Sequence, residues 1–280
     1  MRIKFSNNQI LKIIGKMFLF YILWAAILGL FTVPVIIINK GEILRFSLRQ
    51  FYFETSTFIS LFLVSWFMMR FIEKKKLADI GLNNKGIVRD LIIGFIVSIL
   101  MLMLAVLILI IGNWAYIMVR GEFRLYIFFI SGLILLINAA SQEILFRGYV
   151  FYIIDQRSKM TSIIVSSLIF AMAHIPMVSN NKLAFVNLIL IGFFYAYMRS
   201  VSGNLWIPIS AHFFWNFILG SVFGLTVSGY DLSSGFSLIK IKGGSEIING
   251  GSFGIEGSAI VSLVILVFFV LFKKFAKKLG

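Results

Sequence analysis

The stretch Leu91–Ile111, LIIGFIVSILMLMLAVLILII, runs for 21 residues without a charged side chain. At a rise of about 1.5 Å per residue a helix of this length spans a hydrocarbon core roughly 30 Å thick. Working outward, similar apolar runs recur along most of the chain. Hydrophobic residues make up 60% of the 280 positions, against roughly 45–50% in a soluble domain. The expectation is an all-α integral membrane protein of about eight transmembrane helices in one multi-pass domain, 1–280. Spans are expected near 13–38, 51–72, 88–111, 125–154, 161–177, 183–199, 205–225 and 257–272. The fourth continues past the bilayer as a polar-ended helix, and the last is short. The first apolar run is too long for a signal peptide and no small-residue cleavage site follows it, so it is read as a retained span.

The net charge of +15 does not point to nucleic acid, because the cations sit at the ends of the apolar runs. There they act as topology signals and as contacts to anionic lipid head groups. Lys and Arg are dense on one side, at Lys12, Lys16, Arg70, Lys74, Lys75, Lys76, Lys85, Arg89, Arg147, Arg157, Lys159, Arg199 and both chain ends. They are sparse on the other, at Lys40, Arg45, Arg49, Arg120, Arg124, Lys182, Lys240 and Lys242. Both termini are therefore expected in the cytoplasm. The absence of cysteine removes disulfides, thiolate metal sites and cysteine nucleophiles. The bias toward Ile, Lys and Asn with 3 Pro suits an AT-rich bacterial genome, hence a bacterial cell membrane.

Between Gly220 and Gly257 the pattern changes to a glycine-rich segment with a short alternating piece, Phe236 to Lys242. It reads as an outward loop, 225–256, with a small hairpin. A mobile connector is the favoured reading, with a lid over a site as the alternative.

Ionisable side chains in hydrocarbon cost roughly 2.5–3.5 kcal/mol each on insertion scales, so they mark functional sites. Three apolar stretches carry them. Gln142, Glu143 and Arg147 interrupt the fourth run, and the chain's 2 histidines, His174 and His212, fall in the fifth and seventh. From the helical rise, Glu143, His174, His212 and Asn216 all lie about 10–20 Å above the inner ends of their spans, one slab near mid-membrane. Glu143 and Arg147 are four residues apart and share a helix face, as do Phe170 and His174, His212 and Asn216, and Asn138 and Gln142. Each piece has a plainer reading too. Glu143 with Arg147 is a structural ion pair, each His a helix–helix hydrogen bonder, and Asn216 packing glue. Their agreement in depth favours a shared site.

The order Gln-Glu-x-x-x-Arg (142–147), Phe-x-x-x-His (170–174) and His-x-x-x-Asn (212–216) resembles the CPBP family of intramembrane proteases. That family includes the CAAX prenyl endopeptidases and the bacterial Abi proteins linked to bacteriocin processing and self-immunity. The resemblance runs from Tyr126 to Phe223 and includes Phe146-Arg147-Gly148, which makes 120–224 a CPBP-like catalytic core. It implies a CAAX-protease-like helix bundle with an intramembrane polar site and no covalent intermediate. Carried over, it makes Gln142, Glu143, His174, His212 and Asn216 catalytic, with Arg147 and Phe170 in support. In the family the first Glu and the motif-two His activate water, and the motif-three His and Asn hold the oxyanion. Here the first Glu is Gln142, an amide that accepts no proton at neutral pH. A pseudo-protease, an engineered inactive variant and a remodelled site with Glu143 as base all fit.

The leading functional expectation is therefore an intramembrane endopeptidase, without cofactor, acting on a peptide or membrane-protein segment such as a bacteriocin leader. A catalytically inactive scaffold or immunity protein is the second. A metal-dependent membrane hydrolase, with Glu143, His174 and His212 on zinc, is the third. A transporter comes last, since the broken helices and repeat symmetry of that class are absent.

Overall fold

The computed structural model describes residues 6–38, 46–178, 181–230 and 236–277. Of the cations weighed for orientation, Arg2, Lys4, Lys40, Arg45 and Lys278 lie outside them. The chain is an all-α integral membrane fold with one small β ribbon. Its elements are α1 (Asn7–Ile38), α2 (Phe46–Phe67), α3 (Ile87–Ile111), β1 (Ala115–Arg120), α4 (Leu125–Glu143) and α5 (Phe151–Asp155). They continue with α6 (Lys159–Ala173), α7 (Ile175–Val178), α8 (Lys182–Ser202), α9 (Trp206–Phe217), β2 (Ser237–Ile241), α10 (Glu246–Asn249) and α11 (Ala259–Ala276). Met68–Ile72, Ile144–Val150 and Ile218–Val222 are π-helical turns, and the second joins α4 to α5 without a break.

Among the described residues, six helices rather than eight are long and apolar enough to cross a membrane: Asn7–Pro34, Arg49–Ile72, Ile87–Ile111, Leu125–Asp155, Lys182–Ser202 and Ala259–Ala276. The runs expected at 161–177 and 205–225 are helical but shorter. α6 stops at 15 residues, where His174 caps it and Pro176 has no N–H to continue the ladder to the Met172 carbonyl. α9 has 12 regular residues and continues through its π turn to Val222. In both cases the site's polar residues sit in or just beyond the shortened helix.

The alternating piece at 236–242 does form a strand, but its partner is not local. β2 pairs antiparallel with β1, in the connection between α3 and α4, with Ala115 opposite Ile241 and Ile117 opposite Ile239 and an irregularity before Arg120. Periodicity within one segment reveals a strand and says nothing about a distant partner, so β1 went unread.

Many apolar side chains on α1 and α2 are exposed, among them Leu11, Phe18, Leu30, Phe53 and Trp66, as a lipid-facing surface requires. The interior is tightest where α3 meets α9. Ser98 and Ser210 donate to the carbonyls of Ala211 and Leu91, and Asn204, just before α9, donates to Asp90 at 2.9 Å. Gly94 makes that approach possible: a methyl group there would stand 2.5 Å from the Ile207 carbonyl oxygen. Small residues and interhelical hydrogen bonds substitute for a hydrophobic driving force in lipid. α3 is thus the backing on which α9, carrying His212 and Asn216, is mounted.

Gly94→Ala is expected to destabilise the detergent-purified protein by about 1–3 kcal/mol, as overpacking does. Gly15→Ala, with no atom within 4 Å of the added methyl, serves as the control. Equal melting temperatures for the two variants would show that the α3–α9 approach is not limiting.

Candidate functional site

The site is assembled where α4, α6, α8 and α9 meet. Glu143 ends the regular part of α4, and the π turn Ile144–Val150 begins immediately after it. π turns are rare and concentrate at functional sites. Glu143 and Arg147 are both fully buried, at 0% exposure. Glu143 Oε1 accepts from Arg147 Nη1 at 3.3 Å and from His212 Nδ1 at 2.9 Å. Arg147 Nη2 donates to the Gly192 carbonyl at 3.0 Å, and the guanidinium lies 4.3 Å from the centre of the Phe170 ring. A carboxylate, a carbonyl and an aromatic face together replace the water this cation has lost.

The partners of the imidazoles decide where their protons sit. His212 Nδ1 faces an acceptor, Glu143, so Nδ1 carries the hydrogen and Nε2 is the nitrogen left for other work. The ring is stacked on Tyr195, with centroids 5.5 Å apart. His174, just past α6, has Nδ1 2.8 Å from the Phe170 carbonyl oxygen. A carbonyl only accepts, so this Nδ1 also bears hydrogen, and the neutral ring presents a bare Nε2. Both imidazoles rest against one phenyl ring, Phe170, at centroid distances of 4.5 and 6.2 Å. Asn216 lies one turn beyond His212, is nearly buried at 7% exposure, and its side chain makes no hydrogen bond among the described residues.

Glu143, Arg147, Phe170, His174 and His212 are therefore brought together, with Asn216 on the same helix face as His212. Gln142 commits its amide nitrogen away from them. Its Nε2 donates to Asn138 Oδ1 at 2.9 Å, and Asn138 Nδ2 donates to Glu54 Oε2 on α2 at 3.0 Å. Gln142 Oε1 and Glu143 Oε2 are buried without hydrogen-bond partners. The zinc set of Glu143, His174 and His212 is not assembled: among the described residues no three His, Cys, Asp or Glu side chains converge as a metal site would need. A cavity of about 710 Å³ lies at the end of α2, lined by Trp66, Arg70 and Lys74–Leu77 with Asp79, and contains none of the site residues.

Several partners were invisible in the sequence. Tyr195 and the Gly192 carbonyl reach the site, and Glu54 the Asn138 side of α4, from helices distant in the chain, and no local pattern marks them. Glu256 is another. Its Oε1 accepts from Trp215 Nε1 at 2.8 Å, and its Oε2 accepts from the Ser228 backbone N–H. Burial pushes this carboxyl above its ordinary range, with the bonds from Ser228 and Trp215 pulling the other way. The glycine-rich segment is thus no loose connector where it is described. Phe253 and Ile255 are buried, Phe253 against the cluster of Phe146 and Phe170. Asn181 and Asn187 donate to the backbone carbonyls of Gly250 and Glu256. Its apolar anchors are single residues among glycines, too sparse to register as a pattern.

Residues 124–218 match the family model described as type II CAAX prenyl endopeptidase Rce1-like. No curated protein and no solved structure matches the chain. The matched span includes every residue singled out from the three motifs, and leaves out α2 with Glu54 and the loop with Glu256.

Removing one member of a buried ion pair costs roughly 3–5 kcal/mol, because the other charge is stranded. Arg147→Ala should therefore melt well below Lys159→Ala, whose ammonium is exposed; identical melting curves would count against the pair. Glu256→Ala should raise hydrogen exchange in Phe253–Gly257 relative to the wild type. Unchanged exchange there would mean the loop is held by Phe253, Ile255 and the Asn181 and Asn187 bonds without the Glu256 carboxylate.

Proposed function

We propose, from the match of residues 124–218 to the type II CAAX prenyl endopeptidase Rce1-like family model, that this chain is an intramembrane endopeptidase hydrolysing a peptide or a membrane-protein segment. One observation carries the reading. Two nearly buried imidazoles have their Nδ1 atoms committed to acceptors, one of them a buried carboxylate, which leaves both Nε2 atoms for chemistry.

In this reading His174 Nε2 takes a proton from a water as its oxygen attacks the scissile carbonyl carbon. Negative charge then develops on the carbonyl oxygen. Asn216 Nδ2 and His212, when protonated at Nε2, donate to it, each contact of a kind worth about 2.7–4 kcal/mol in other proteases. Glu143 holds His212 in one orientation, as a carboxylate behind an imidazole does. The C–N bond breaks as His174 returns its proton to the leaving amine. Gln142 is not required as the base; its unpartnered Oε1 orients the water by accepting its second hydrogen. No step calls for a metal. The setting is a bacterial cell membrane with both termini cytoplasmic, and bacteriocin processing or self-immunity is the biological role that fits such a substrate.

The Gln142 amide, drawn toward Asn138 rather than into hydrogen bonding with His174 or Glu143, favours a second reading: an inactive scaffold or immunity protein that binds the peptide without cutting it. Cleavage of single-span membrane peptides in proteoliposomes separates the two. The endopeptidase reading expects turnover by the wild type and a loss of about 10²–10⁴-fold in His174→Ala, the usual weight of a general base. Glu143→Gln should fall comparably. A wild type that protects cells against a bacteriocin yet cleaves nothing supports the scaffold, and turnover that survives His174→Ala rejects the mechanism.

A further inference from the structure

Glu54, Asn138 and Gln142 form a ladder of side chains running from α2 to the edge of the site. The two bonds measure 3.0 and 2.9 Å, and the far end, Gln142 Oε1, is buried with no partner. Glu54 Oε2 accepts the first of these bonds. Asn138 must therefore turn its NH2 toward Glu54, which leaves its Oδ1 facing Gln142. That oxygen in turn can only accept, so Gln142 must spend its NH2 on Asn138. The acceptor-only end of the ladder dictates the orientation of both amides. What remains at the far end is a buried carbonyl oxygen with no partner, which demands a donor at the cost of an unsatisfied buried group.

We infer that Glu54 is a positioning residue: through Asn138 it sets Gln142 as an acceptor next to Glu143, the residue that holds His212, where it takes a hydrogen from the attacked water or from a substrate backbone N–H. The inference rests on the endopeptidase reading for its chemistry, but the ladder itself does not. The carboxylate absent from position 142 sits two hydrogen bonds away, on a helix outside the matched span 124–218. Positions 54 and 142 are a matched pair. Changing Gln142→Glu alone sets two carboxylates on either side of one amide, and Asn138 can offer its NH2 to only one of them. Combining Gln142→Glu with Glu54→Gln reverses the ladder with every bond kept. The new carboxylate accepts from Asn138 Nδ2, and Asn138 Oδ1 accepts from the new amide on α2.

The test uses the full chain in detergent and in proteoliposomes. Melting temperatures are compared for the wild type, Glu54→Gln, Gln142→Glu and the double exchange. Gln142→Glu should melt lower than the wild type, and should lose much less, or nothing, when Glu54→Gln is already present. Equal losses in the two backgrounds overturn the ladder. Turnover provides the second arm and needs only single variants at position 54. Glu54→Ala, which leaves the amides free to flip, should lower kcat by about tenfold, the effect of one misdirected hydrogen bond. Glu54→Gln, whose carbonyl still accepts from Asn138, should recover part of that loss. Equal turnover for Glu54→Ala and Glu54→Gln overturns the positioning role. Non-additive melting without cleavage by any variant would remove the endopeptidase reading and leave the ladder standing. Additive melting with wild-type cleavage would do the reverse.

Discussion

A carboxylate with no exposed surface, deep in an apolar bundle, is tolerable only if other groups replace its water. Glu143 meets that condition at Oε1, which holds a guanidinium and an imidazole, while Oε2 is buried without a partner. Each partner brings a different helix with it. His212 ties α9 to α4, and Arg147 ties α8 through the Gly192 carbonyl and α6 through the Phe170 ring. The cost of stripping these charges of water is what makes the arrangement specific, since any displacement of one helix strands a charge. The π turn that begins right after Glu143 adds local width at the point where all four helices converge.

The rest of the molecule holds α9 in place around that point. α3 grips it on one side through Gly94 and two serine hydroxyls. The glycine-rich segment holds it on the other through the Trp215–Glu256 bond. α2 contributes Glu54 to the flank of α4. These contacts lie outside the span that matches the family model, yet they bear on residues inside it. The matched core thus supplies the chemically able groups, and the surrounding helices orient them. The Nδ1 atoms of both imidazoles are committed within the core itself, to the Phe170 carbonyl and to Glu143.

Much of this was legible in the chain. Uncharged runs of membrane length announced helices, because backbone polar groups in lipid must be satisfied within the segment itself. Two histidines and a Glu–Arg pair inside such runs announced the site, because ionisable groups are retained there only at a cost. The shortness of α6 and α9 was not legible. Hydropathy averages over a window, whereas a helix ends where a particular capping or proline residue ends it, as His174 and Pro176 do. The strand at 237–241 was visible from its alternation, but its partner at 115–120 lies across the fold.

The sequence by itself determined the membrane setting, the helical class, and which side chains are able to do chemistry, since all three follow from local composition and spacing. Only the tertiary structure decided how those side chains are paired. Spacing placed Glu143 beside Arg147, but contact with His212 and with Glu54's ladder depends on how helices far apart in the chain pack. It also decided that Gln142 turns toward Asn138, because an amide's orientation is set by whichever neighbour can only accept. That neighbour lies 84 residues away from Asn138, beyond the reach of any local pattern.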